Sequence, residues 1–212
     1  MKHIENLSPF YDTFYWAISN TWPMLTLFVV IIVVLRLSRV VINHDKFVFY
    51  KDFYSLLFII YMLLLYFLLL TTEDAVSGIN LKPFTEMTRY TFGSKAFFYN
   101  VVGNIALFIP FGYFVSDYLK AKRLRHIAFV ALVTSLTAEL IQYKIGRAFD
   151  IDDIILNFIG AIIGFIVFLT IKKIKRKLPS VLQNNIFYNI IAIIILIIII
   201  FAFGSMWGLK LW

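Results

Sequence analysis

Three runs of polar residues interrupt long apolar stretches, and their types could do chemistry. The first run holds Asn100 and Asn104, four positions apart and so on one helical face. The second holds Ser135, Glu139 and Gln142, spaced by four and three, again one face. The third starts in the turn Gly-Arg-Ala-Phe-Asp-Ile-Asp-Asp (146–153) and continues as a stripe of Asp153, Asn157, Gly160 and Gly164. The Arg147 guanidinium is a fork suited to phosphate or carboxylate. Asn100, Asn104, Gln142 and Asn157 could read polar groups beside it, and Glu139 could hold Arg147 or an amine. A catalytic reading makes Glu139 a general base or metal ligand, with Asp153 the other catalytic candidate. In that reading Glu139, Asp150 and Asp153 together ligate a divalent cation that prefers oxygen, such as magnesium, calcium or manganese. No other cofactor is predicted. A third reading makes Glu139 the titrating group of a proton-coupled carrier.

Absences narrow the choice. There is no cysteine, and His3, His44 and His126 lie away from the cluster, so no nucleophile stands out. No glycine-rich phosphate loop, Walker-type lysine, His-Glu-Xaa-Xaa-His pair or Gly-Xaa-Ser-Xaa-Gly elbow occurs. These absences argue against an ATP-driven pump and a zinc protease.

Each residue also has a plainer use. The asparagines could be interhelical hydrogen-bond glue, and Gly160 with Gly164 a small-residue packing pair. Asp150 and Asp152 could cap a helix. Glu139 and Arg147 could form a structural ion pair. Convergence favours a site: three successive helices aim polar stripes at one acidic turn, and lipid would not tolerate such stripes. They should meet at an outward-opening polar pocket between helices.

The elements that position these residues are transmembrane helices. Of 212 residues, 61% are apolar and 15% charged, with a mean hydropathy of +0.86. A soluble domain is about half apolar and about a quarter charged. Both a soluble fold and disorder are therefore excluded. Six stretches approach the roughly 20 residues a membrane helix needs: Phe14–Leu37, Phe53–Leu70, Phe97–Val115, Ile127–Ile145, Ile154–Ile171 and Ile186–Trp207. The fold class is all-α, a polytopic bundle of about six transmembrane helices. Pro110 and Gly112 predict a kink in the third. The loop over 71–96 should lie at the outer interface, with a short helix around Thr85–Thr91. The first 13 residues lack the pattern of a cleaved signal peptide. No inverted repeat of the transporter kind is evident.

The net charge of +8 resolves by loop. Thirteen of the cations fall after the first, third and fifth spans with three acids; seven fall on the other side with nine acids. The two faces carry about +10 and −2, so the basic face is cytoplasmic and both termini lie outside. No nucleic-acid partner is needed, and the run Lys-Lys-Ile-Lys-Arg-Lys (172–177) suits anionic lipid heads.

Five pieces in order carry a family likeness. They are Asn-Leu-Lys-Pro-Phe (80–84), Asn100 with Asn-Ile-Ala-Leu-Phe-Ile-Pro-Phe-Gly (104–112), Ser-Leu-Thr-Ala-Glu-Leu-Ile-Gln (135–142), Arg147, and Asp-Ile-Asp-Asp-Ile-Ile-Leu-Asn (150–157) with Gly160 and Gly164. With them the chain resembles the VanZ-like family of bacterial membrane proteins. The motifs cover about 80–165, within a five-helix core over 1–180, and 181–212 adds a C-terminal span. The resemblance implies a multi-pass protein of the bacterial cytoplasmic membrane. The family is named for a protein linked to teicoplanin resistance, which implies a part in tolerance of glycopeptide antibiotics. The expected partner of the pocket is a lipid or a lipid-anchored envelope molecule, such as a cell-wall precursor or a lipoglycopeptide antibiotic. The alternatives are a metal-assisted intramembrane enzyme acting on an envelope lipid and a proton-coupled transporter using Glu139. Oligomeric state is not read from the sequence.

Overall fold

A computed structural model describes residues 9–70 and 78–206. His3, the leading residues, 71–77 of the outer loop and Trp207 at the end of the sixth span lie outside the described residues. The chain is an all-α membrane protein, and among the described residues six helices are long and apolar enough to cross a bilayer. In order they are α1 (Pro9–Asn43), α2 (Phe49–Leu70), the short α3 (Thr85–Arg89), then α4 (Lys95–Phe97), which passes through a π turn (Phe98–Val102) into α5 (Gly103–Tyr118). Next come α6 (Leu124–Lys144), α7 (Ile151–Lys177) and α8 (Asn185–Met206). Two two-residue strands, β1 (Ile79–Asn80) and β2 (Phe149–Asp150), pair in parallel. The expected short outer helix is α3, ending at Arg89.

The helices outrun the apolar stretches. α1 continues past Arg36 and Arg39, and α7 continues through the run 172–177. Hydropathy marks where a span leaves lipid, whereas backbone hydrogen bonding marks where a helix ends. Lys and Arg are good helix formers, and cations in a last turn suit the helix dipole. Pro179 follows Leu178 and prevents further extension of α7. α5 ends in a Schellman motif: Lys120 is left-handed at φ 49, its N–H donates to Asp117, and Ala121 N–H donates to Ser116. α5 runs through Pro110 to Tyr118. Its departure from α geometry falls earlier, in the π turn beside Asn100.

The described residues divide into two compact units. One takes in those up to Pro23 and Met62–Lys172; the other takes in Met24–Tyr61 and those from Lys173 onward. In the first, α5 and α7 meet backbone to backbone. A Cβ added at Gly112 would strike Ala161, one at Gly160 the Ile105 carbonyl, and one at Gly164 the backbone of Ile109 and Tyr113. The packing reading of Gly160 and Gly164 therefore holds. Ala121, Ile127, Phe165 and Phe168 form a buried cluster with Tyr113 and Val115 against it.

In the second unit, Arg36 donates to Asp52 at 2.6 Å, to Asp45 at 3.1 Å and to the Lys46 carbonyl at 3.2 Å. Asn189 of α8 accepts the Tyr50 N–H at 3.0 Å, and Lys175 Nζ lies 4.5 Å from the centre of the Tyr188 ring. Isoleucines cover most of the circumference of α8 and are exposed, as a helix facing lipid requires, while Tyr188, Ala192, Leu196 and Ile199 form its sheltered stripe.

Candidate functional site

α6 buries the polar face that the spacing predicts: Ser135, Glu139 and Gln142 are all at most 3% exposed. A buried polar group must find a partner, and here the partners are mostly backbone. Gln142 Nε2 donates to the Leu69 carbonyl at 2.6 Å, and Arg147 Nη1 reaches the same oxygen at 3.4 Å. Both groups therefore cap the C-terminal end of α2, where carbonyls lack helical donors and a cation is favoured. Glu139 Oε2 accepts the Asp150 N–H at 3.0 Å.

The plainer reading of Glu139 and Arg147, a structural ion pair, is not what the side chains form, since each is bonded to backbone instead. Glu139 is hydrogen-bonded to the backbone of β2 and Arg147 to the end of α2.

The acidic turn clamps the outer loop. β1 lies beside β2 with Ile79 opposite Phe149 and Asn80 opposite Asp150, and Phe149 N–H donates to the Gly78 carbonyl at 3.0 Å. Asp150 Oδ1 accepts from Asn80 Nδ2 at 3.1 Å and from the Asp152 N–H at 2.8 Å. Asp152 is fully buried, and its two oxygens receive the N–H groups of Phe84 at 2.6 Å and Met87 at 3.3 Å. This carboxylate, read from sequence only as a cap for α7, serves the first turn of α3 instead. A signal for it existed. Stepping back by fours from Gly164 and Gly160 reaches Leu156 and then Asp152, one buried stripe.

The remaining candidates pair across helices. Asp153 Oδ1 accepts from Asn104 Nδ2 at 2.5 Å. Asn100 is exposed, with its Nδ2 donating to the Ala96 carbonyl at 2.9 Å. Asn157 Nδ2 donates to Ser135 Oγ at 3.0 Å, while its buried Oδ1 has no hydrogen-bond partner.

Beside this network lies a cavity of about 60 Å³ lined by Met87, Tyr90, Asn100, Val101, Asp150, Asp152, Asp153 and Leu156. Of the predicted site residues, Asn100, Asp150 and Asp153 reach it. Asn104 and Glu139 stand behind, one holding Asp153 and the other Asp150. Gln142, Arg147 and Asn157 are not among its lining residues. The π turn, the start of α7 and the loop around α3 make the walls; α6 acts through Glu139. Among the described residues no group of three or more His, Cys, Asp or Glu side chains is placed to hold a metal ion. Glu139, Asp150 and Asp153 each have an oxygen that accepts from an N–H donor. Three aspartates and an amide stand in the cavity wall.

Comparison with known proteins bears on the same region. A family model described as VanZ/LLP1 matches residues 53–173, more than half of the chain and every residue of the network above. Protein VanZ of Enterococcus faecium is 38% identical over 90 residues, which are 41% of this chain and 50% of that protein. The chain thus aligns with about half the length of this curated relative. No solved structure matches.

Proposed function

This chain belongs to the VanZ/LLP1 family, and from that premise we propose that it binds the amine- or hydroxyl-bearing head of a lipid or lipid-anchored envelope molecule in a bacterial cytoplasmic membrane. The observation that carries this reading is the cavity walled by Asp150, Asp152, Asp153 and Asn100 at the ends of the spans. The loop charge bias puts that end outside. An acidic recess favours a protonated amine or a sugar hydroxyl, and it disfavours the phosphate contact expected of Arg147, whose guanidinium points to α2. A contribution to teicoplanin tolerance follows if the bound head belongs to the antibiotic or to the lipid-linked precursor it attacks. The metal-assisted enzyme lacks a gathered ligand set. The proton-coupled carrier would have to free Glu139 from the β2 backbone.

The test uses the full chain in nanodiscs, with bound lipid read by native mass spectrometry. Phosphatidylethanolamine should be retained over phosphatidylglycerol, and Asp153→Asn should reduce that preference about tenfold, the worth of ~1.4 kcal/mol. Equal retention of both lipids by the unmodified chain overturns the reading. In cells, the same substitution should lower the teicoplanin concentration tolerated.

A further inference from the structure

The cavity is too small for what it is proposed to bind. Its volume of about 60 Å³ holds a few waters, whereas sites for small organic molecules start near ~300 Å³. The recess is partly open to solvent, so a head group meets its mouth directly, and seating it deeper requires one wall to move. The α7 wall cannot, because α5 and α7 are in backbone contact at Gly112, Gly160 and Gly164. The opposite wall is Met87 and Tyr90 of the outer loop. Among the fastenings of that loop are the two-residue β1–β2 pairing, the Asn80–Asp150 bond and the Asp152 carboxylate.

We propose that residues 78–92 are a lid beside the cavity, latched in place by Asp152 through the Phe84 and Met87 N–H groups. The inference rests on the head-group reading and adds how the head enters. Three further features fit. Phe84, where the latch closes, sits at φ 67, a conformation that non-glycine residues rarely adopt. Gly93, at φ +80 with open space around it, gives the far end of the lid a hinge. The outer surface of the lid exposes Leu81, Phe84 and Phe92, side chains that can slide in the membrane interface without entering water. Asp152 also lines the cavity. An entering ammonium group competes with the two amides for its carboxylate, so binding and unlatching are coupled.

The test needs no ligand, and the absence of native cysteine makes it direct. Val101→Cys places a single thiol on the cavity wall, where Val101 is 9% exposed. A water-soluble maleimide should label it slowly. Adding Asp152→Asn should speed labelling roughly tenfold, the scale of one charge-assisted hydrogen bond. Adding Asn80→Ala, which removes a milder fastener, should speed it less. Thr88→Cys, on the exposed side of α3, should label equally in all backgrounds. Should Asp152→Asn fail to fold, Asn80→Ala carries the measurement. Unchanged Val101→Cys labelling in folded, unlatched protein overturns the lid and leaves the binding proposal standing. Accelerated labelling with no preference for the amine lipid does the reverse.

Discussion

In the unit that holds the motif residues, Glu139, Gln142 and Asp152 are at most 3% exposed, and each side chain bonds a backbone group of another segment. In the other unit, the side chains of Arg36, Asp45 and Asp52 are 23–32% exposed and pair with one another. The contrast separates two uses of polarity in a membrane protein. Ion pairs near water hold together helices that would form anyway. Buried side chains bonded to backbone hold irregular segments that have no helix to satisfy them. The family match takes in the buried network and leaves out α8 and the Asp45 loop.

Substitutions can break or sharpen this contrast. The largest effect is expected at the helix crossing. Gly164→Leu forces a side chain into the α5 backbone and should cost about 3 kcal/mol or more, seen as a collapse of the thermal unfolding midpoint in detergent. Asp152→Ala comes next. It leaves two amides without acceptors and should cost about 2–4 kcal/mol, measured in the same way. Glu139 discriminates further. Glu139→Ala should cost about 1–3 kcal/mol, whereas Glu139→Gln keeps an accepting oxygen for Asp150 and should cost under ~1 kcal/mol. A severe loss with Glu139→Gln would mean that the charge itself, and not the acceptor, is needed. Ser135→Ala removes the acceptor of Asn157 and should cost about 1 kcal/mol. Arg36→Ala should give the smallest shift of the series, shrinking as salt is raised. If Arg36→Ala proves as damaging as Asp152→Ala, the contrast between the units is wrong.

Much of the fold was legible because the bilayer leaves few choices. Roughly 20 apolar residues in a row have to be a helix, and all six spans appear with their ends displaced by a few residues. Helical faces carried by spacing were legible as well. Asn104, Ser135 and the stripe of Asp153, Asn157, Gly160 and Gly164 lie on the faces their spacing marks, and the glycine seam packs as read, whereas the pairing of Asn104 with Asp153 and of Ser135 with Asn157 came only with the tertiary structure. The partners of Arg147 and Asp152 were not legible. Arg147 has Glu139 nearby in sequence as an obvious counter-ion, yet it reaches a carbonyl 78 residues away. Asp152 looks like an ordinary cap and holds amides 65 and 68 residues distant.

The sequence by itself determined that the chain is a membrane bundle, which face of each polar helix is special, and where two helices must touch. Those properties depend on side-chain type and periodicity, which are written in the order of residues. The tertiary structure alone decided what the special residues hold: α2 for Gln142 and Arg147, β2 for Glu139, the outer loop for Asp150 and Asp152. The reason is that these partners are mainly backbone N–H and C=O groups. Nearly every residue carries them, so no residue type marks the one that will be chosen.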